Sequence, residues 1–291
     1  MYKKLRNLSL VTAFRNRLQN LFITFVLLKH NVITTMKNPL FISILSLLML
    51  FSCSTNSENE ILNDSSADNV LLIKQIVNTN GPQIDDFNYD GDKLHSIVDE
   101  NGNEYIFSYN NNFINKVEYF NGSNSVLVSR NELFYTSNRL SLLKKYSNNE
   151  LQKIINYEYN TDGSILLIRD DYDNGNTIVA SSQLKVILDQ NGNPIKTIVL
   201  VDNIEISNTT FIYDTLKTPF NDIIGFDALL LTDIFGEWKT GNNLLQSTTV
   251  TESSQAETIF TASYQYNSQG YPISGILTYE SGTIDENLYS Y

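Results

Sequence analysis

The residues that could do chemistry here are few. Cys53 is the only cysteine and ends the run Leu50-Phe51-Ser52-Cys53. Asp170-Asp171-Tyr172-Asp173-Asn174-Gly175-Asn176 sets oxygen donors at alternate positions around a glycine, the alternation a calcium loop uses, with Asp171 and Asp173 as candidate ligands. Gln183 or nearby serines stand where the closing bidentate Glu belongs, and an acidic hairpin turn accounts for the same residues. Trp238, the only tryptophan, lies outside the tyrosine rhythm and is the candidate ligand platform; packing is the competing role.

Much other chemistry is excluded. His95 is the only histidine after Cys53, so sites needing two imidazoles, or cysteine with histidine, are ruled out within one chain. His95 stands between Leu94 and Ser96 in a strand-like stretch, with no Gly-x-Ser-x-Gly elbow to supply a nucleophile. No phosphate-binding loop, dinucleotide fingerprint or His-Glu-x-x-His occurs, so no cofactor is expected. With 32 acidic residues, sequence names no particular carboxylate pair for glycoside hydrolysis.

The chain divides by charge and hydropathy. Leu40 to Leu50 is apolar, follows Met36-Lys37 and precedes Phe51-Ser52-Cys53, the layout of a secretory signal over 36–53. Residues 1–35, basic and apolar, read as an over-extended N-terminus, with Met36 as the natural start. Residues 54–69 are polar and acidic, a flexible tether. Seven of the 20 Lys and Arg precede Cys53 and no acid does, leaving 13 bases against 32 acids beyond it, a formal charge of −19. Such a surface repels phosphate backbones, and no nucleic-acid partner is expected.

Leu50-Phe51-Ser52-Cys53 resembles the bacterial lipobox, Phe51 departing from its strictest form. The resemblance implies a lipid on Cys53, and thereby a membrane partner and an outer-membrane location, periplasmic or surface-facing. Glu58 and Glu60 partly resemble the acidic signal that sends some Bacteroidota lipoproteins to the cell surface.

From about residue 70 to Tyr291 a small unit recurs. Its clearest copy is Tyr157-Glu158-Tyr159, a polar turn closing at Gly163, then Ile165 to Ile168. Tyr89, Tyr109, Tyr135, Tyr159, Leu188 and Tyr213 follow one another at intervals of 20 to 29 residues, and Tyr266 to Tyr291 repeats the step. Alternating apolar residues turn one strand face inward, and Asn-Gly turns supply the positive φ that hairpins need. One hairpin buries nothing alone, so successive units must pair. The expectation is an all-β fold: an antiparallel meander of repeated β-hairpins over 70–291, its sheet curled or wrapped to cover the aromatic face. Val70–Val77 reads as the first strand. One short helical insertion is expected near 219–236, with Pro219 starting it, Ile223, Phe226, Leu230 and Ile234 at helical spacing, and Gly236 ending it.

Tyr89-Asp90-x-x-x-Leu94, Tyr159-x-x-x-Gly163-x-Ile165 and Tyr266-x-x-x-Gly270-x-Pro272-Ile273 resemble the YD-type repeats of Rhs-like proteins. With the lipobox, the chain is similar to uncharacterised Bacteroidota lipoproteins built from such repeats. That resemblance implies a β-rich exported body and carries no activity with it. The functional expectation is a non-enzymatic binding or structural module at the cell envelope, its ligand a glycan, a cell-wall component or a protein. The alternative is an envelope hydrolase of glycosidase type, using paired carboxylates near 214–243.

Overall fold

The computed structural model describes residues 70–291 apart from 82, 123–124, 174–176, 233, 235–240 and 252–256. The leader, Cys53 and the tether therefore lie outside the described residues, as does Trp238. The first eight strands are β1 (Gln75–Asn78), β2 (Gln83–Asp90), β3 (Lys93–Asp99), β4 (Glu104–Asn110), β5 (Phe113–Asn121), β6 (Val126–Thr136), β7 (Arg139–Ser147) and β8 (Glu150–Tyr159). The next eight are β9 (Ile165–Tyr172), β10 (Ile178–Leu188), β11 (Pro194–Val201), β12 (Ile204–Lys217), β13 (Asn242–Thr251), β14 (Glu257–Tyr266), β15 (Pro272–Tyr279) and β16 (Ile284–Ser290).

Each strand pairs antiparallel with its sequence neighbour, the meander that the repeats predict. The sheet is not left as an open curl. β1 pairs on one side with β2 and on the other with β16, so Val77 lies between Ile84 and Leu288, and sixteen strands close into a barrel. Closure removes both sheet edges, the groups that would otherwise recruit another chain. β1 is shorter than the expected Val70–Val77 strand.

The repeat unit is two strands. Apart from Tyr213, four residues inside β12, each anchor stands at or beside the end of an even-numbered strand, and most lie at a bulge: the register shifts between Asn88 and Tyr89, Ser108 and Tyr109, Phe134 and Tyr135, and Gln265 and Tyr266. The extra residue lies on the following strand, at His95, Asn115 or Ser141, and the bulge brings that strand's second residue opposite the anchor, as in the pairs Tyr89–Leu94, Tyr109–Ile114 and Tyr135–Leu140; Tyr159 pairs with Ile165 without a bulge. The anchor also reaches back one repeat. Tyr89 donates its hydroxyl to the Ile73 carbonyl at 2.7 Å, Tyr135 to Ile114 at 2.6 Å, Tyr159 to Leu140 at 3.0 Å and Tyr291 to Pro272 at 2.9 Å. Tyr109 makes the same step as an acceptor, from the Leu94 N–H at 3.2 Å. Burial holds the Tyr89 and Tyr135 phenols well above the usual tyrosine range, as suits neutral donors.

The expected helical insertion lies between β12 and β13 and is shorter than the sequence suggests. Residues 219–225 form turns, and a 3₁₀ helix runs over Phe226–Leu231. Gly225 is the reason. It sits at φ 72°, where a helix from Pro219 cannot continue, and a Cβ there would lie 2.5 Å from the Asn112 carbonyl oxygen. The buried positions are Phe220, Ile223, Phe226 and Leu229, a spacing of three rather than 3.6. These side chains fill the barrel interior beside Phe87, Leu94, Ile114 and Ile155. Tyr157 donates to the Leu231 carbonyl at 2.9 Å, and the Ile224 N–H to the Asp92 carbonyl at 3.4 Å. The segment is a plug at the anchor end of the barrel.

Tyr135→Phe deletes one hydroxyl and leaves the carbonyl of fully buried Ile114 without its partner. Urea unfolding of the variant should show a loss of about 1–3 kcal/mol with an unchanged m-value. A loss near zero would mean that the contact between repeats carries no stability.

Candidate functional site

The barrel interior has two halves of different chemistry. The anchor end is apolar and plugged. Toward the opposite end, strand alternation turns polar residues inward. In Gln83-Ile84-Asp85-Asp86-Phe87, Gln83 and Asp85 share the inner face with Phe87, while Ile84 and Asp86 are exposed. Cross-strand pairing sets Asn78 opposite Gln83 and also opposite Asn287, so a polar patch crosses the closing seam on β16, β1 and β2. All four side chains are buried: Asn78 is 4% exposed, Gln83 7%, Asp85 8% and Asn287 3%.

Half of each key side chain in this patch is fixed. The Asn80 N–H donates to Asn78 Oδ1 at 3.0 Å, which sets the amide orientation and leaves Nδ2 as a buried donor without a partner. Gln83 Nε2 donates to Asp85 Oδ2 at 3.1 Å, leaving Asp85 Oδ1 as a buried acceptor without one. Burial pushes the Asp85 carboxyl up to about 7; the Gln83 hydrogen bond opposes the shift, and Asp99, Glu100 and Asp86 add to it.

A second inward cluster lies on β7 to β9. Lys153, 6% exposed, faces Lys145 on one side and Asp171 on the other, its Nζ 3.8 Å from Asp171 Oδ1. Arg169 Nε lies 3.3 Å from Asp171 Oδ2. The two aspartates of the calcium-like motif thus have different surroundings. Asp171 faces the interior between cations, while Asp173 Oδ1 accepts the Thr177 N–H at 2.9 Å across the β9–β10 turn. Among the described residues no group of three or more His, Cys, Asp or Glu is arranged to hold a metal ion. His95 is exposed on β3, as its strand context suggests.

Near the plug, two carboxylates are held by tyrosines. Asp214 accepts from the Tyr266 hydroxyl and from the Asn243 N–H at 3.0 Å. Asp222 accepts from the Tyr271 hydroxyl and from the Leu71 N–H at 2.9 Å, which joins the plug to the chain entering β1. Burial acts to raise the Asp222 carboxyl, but the hydrogen bonds from Tyr271, Leu71 and Asn221 outweigh it and hold the group below the ordinary range. Sequence reasoning did not single out Asn78, Gln83, Asp85 or Asn287. The signal was the parity of Gln83 and Asp85 with Phe87 and Tyr89, which places two polar groups on an apolar face.

No family model and no curated protein matches this chain. Its fold is similar to that of a crystallised porin-like protein from Bacteroides vulgatus, with a TM-score of 0.50 and 14% identity over 76% of this chain and 98% of that one. A porin-like protein from Bacteroides uniformis matches with a TM-score of 0.34 and 12% identity, over 72% of this chain and 77% of that one. The first likeness is one of barrel fold.

Folded Asp85 keeps its proton to about pH 7, whereas the unfolded residue loses it near pH 3.8. The folded state therefore binds more protons across that interval, and stability falls as pH rises through it. In urea titrations at about pH 5 and about pH 8, the native protein should lose more stability on going to the higher pH than Asp85→Asn does. Parallel losses would show that Asp85 titrates as an exposed carboxylate.

Proposed function

We propose that this protein is an exported lipoprotein, held at the outer membrane by a lipid on Cys53, whose barrel works in water as a non-enzymatic binding module. The observation that carries this reading is the outer face of β5 to β7. Lys116, Glu118, Arg130, Glu132 and Lys144 share that face, because Lys116 pairs with Glu132, Glu118 with Arg130, and Glu132 with Lys144. Lys116 and Glu118 form an ion pair at 2.7 Å, and Arg130 and Glu132 one at 2.9 Å. Lys144 lies over the Phe134 ring at 5.5 Å and Arg130 over Tyr146 at 4.4 Å.

A barrel that spans a bilayer needs an outward apolar band about 25 Å tall, and each lysine or arginine at its middle costs roughly 2–4 kcal/mol. On those strands charge lies outside and Val117, Leu133 and Leu143 are buried inside, whereas β10 to β16 also expose apolar side chains such as Ile195, Ile204, Ile212, Ile273 and Leu288. The charged outer face of β5 to β7 suits water, and in this reading membrane attachment falls to Cys53.

The ligand class in this reading is a glycan or a protein. The hydrolase alternative gains nothing from the insertion, where Asp214 and Asp222 are taken up by tyrosine hydroxyls and backbone or side-chain amides. The two-strand repeat with its inward tyrosine supports reading the chain with the YD-type repeat lipoproteins.

Detergent-phase partitioning of cell extracts tests the tether. The native protein should enter the detergent phase and Cys53→Ala the aqueous phase, with the variant folded as judged by protease resistance. A Cys53→Ala protein that stays in membranes after alkaline washing would show that the barrel itself inserts. Protease added to intact and to lysed cells then separates a surface-facing from a periplasmic body.

A further inference from the structure

We propose that the outward face of β12 to β15 is a contact surface for a second copy of this chain. The inference rests on the reading that the barrel wall stands in water, and it names a partner for part of that wall. Leu244, Phe260 and Leu277 are buried inside, with Phe211, Tyr213 and Ala262 packed against them. Alternation turns the residues between them outward. Cross-strand pairing then sets Ile212, Gln246, Thr261 and Thr278 in one outward row, which continues to Ile284 on β16. Over 208–212, 246–250, 261–265 and 274–278 the four strands carry no Asp, Glu, Lys or Arg. Outward charge resumes at the borders of the face, with Glu205 on β12 and Glu286 on β16.

The formal charge of −19 beyond Cys53 keeps copies of the chain apart in water, so two of them meet at least cost where neither presents a carboxylate. Depletion of charge is also what marks the core of a protein interface. The outward side chains are self-complementary as well. Hydroxyl and carboxamide groups both donate and accept, and Ile212 and Ile276, 55% and 47% exposed, supply apolar contact. A two-fold axis presents a face to itself, which such groups satisfy and a face of one charge cannot. Threonine, serine and glutamine at most of these positions break the apolar band that lipid requires. Four strands about 4.8 Å apart, over five residues each, give a footprint of roughly 300 Å², against about 800 Å² per partner in a stable complex. The contact is therefore weak and fills at high protein concentration.

Sedimentation velocity of the Cys53→Ala protein recovered from the aqueous phase tests the contact, over about a hundredfold range of concentration. With the face intact, the protein should pass from monomer to dimer as concentration rises and go no further, because a two-fold contact closes on itself. Thr261→Glu and Ser263→Glu, at exposed outward positions, should each weaken the dimer about tenfold or more by setting like charges together. Asn156→Glu, outward and exposed on β8, should leave the dimer unchanged. Should one of the two face variants fail to fold, the other carries the test.

The proposal is overturned if the protein stays monomeric over the whole range, or if the face variants dimerise as the intact face does. Association that runs past the dimer into larger species, the mark of an open-ended contact, overturns it too. Flotation of the Cys53→Ala protein with neutral phosphatidylcholine vesicles, lost in Thr261→Glu, would assign the face to lipid and overturn it as well. Partitioning of Cys53→Ala separates the two failures. A monomer in the aqueous phase overturns this inference alone, whereas a barrel that stays in membranes overturns the reading in water and this inference with it.

Discussion

The structure depends on the inward anchor near the end of each repeat, a tyrosine everywhere but at Leu188. A hairpin of this length exposes one apolar face and cannot persist alone in water. At Tyr89, Tyr135 and Tyr159 the anchor joins one hairpin to the next twice, through its position opposite an apolar residue near the start of the following strand, and through its hydroxyl, bonded to the backbone of the preceding repeat. Because the link is local, the same contact can be made again at every step. The barrel closes only when the last anchor, Tyr291, bonds to the Pro272 carbonyl and β16 meets β1.

Closing sixteen strands leaves an interior to fill, and the chain fills its two halves differently. At the anchor end the plug supplies Phe220, Ile223, Phe226 and Leu229, and the Asp222 carboxylate fastens it to Tyr271 and to the backbone at Leu71. Tyrosine hydroxyls and amides hold Asp214 and Asp222 in place, so these acids serve the architecture. Toward the other end no comparable segment is described, and inward positions carry amides, hydroxyls and charges. Buried polar groups persist where something satisfies them, and Asn78 Nδ2 and Asp85 Oδ1 are among the described atoms that the protein itself leaves without a partner.

The outer face decides how the barrel relates to a membrane. Antiparallel barrels of similar strand order serve both in lipid and in water, and the order of strands does not choose between them. The choice lies in which face carries charge. On β5 to β7 the charged residues alternate with the buried ones, so the ion pairs of Lys116 and Arg130 face outward as directly as Val117 and Asn131 face inward. Resemblance of fold to a porin-like protein is compatible with either surrounding, and the charged outer face of β5 to β7 is the feature on which the proposed reading in water rests.

Much of this was written into local sequence. Period-two alternation around Tyr89, Tyr109, Tyr135 and Tyr159 defines the strands, and glycine and asparagine at positive φ define the turns, because both effects operate within a few residues. The interruption at 214–243 is equally visible as a break in that rhythm. Three things needed tertiary structure. Closure rests on β1, four residues long, pairing with a strand about 200 residues away, and no local pattern encodes that register. The helix expected from Pro219 gives way to turns and a 3₁₀ segment because Gly225 must pass close to the Asn112 carbonyl, a contact between parts of the chain distant in sequence. The meaning of Gln83 and Asp85 changed most: in sequence they are polar residues near a turn, and only the closed barrel removes them from water.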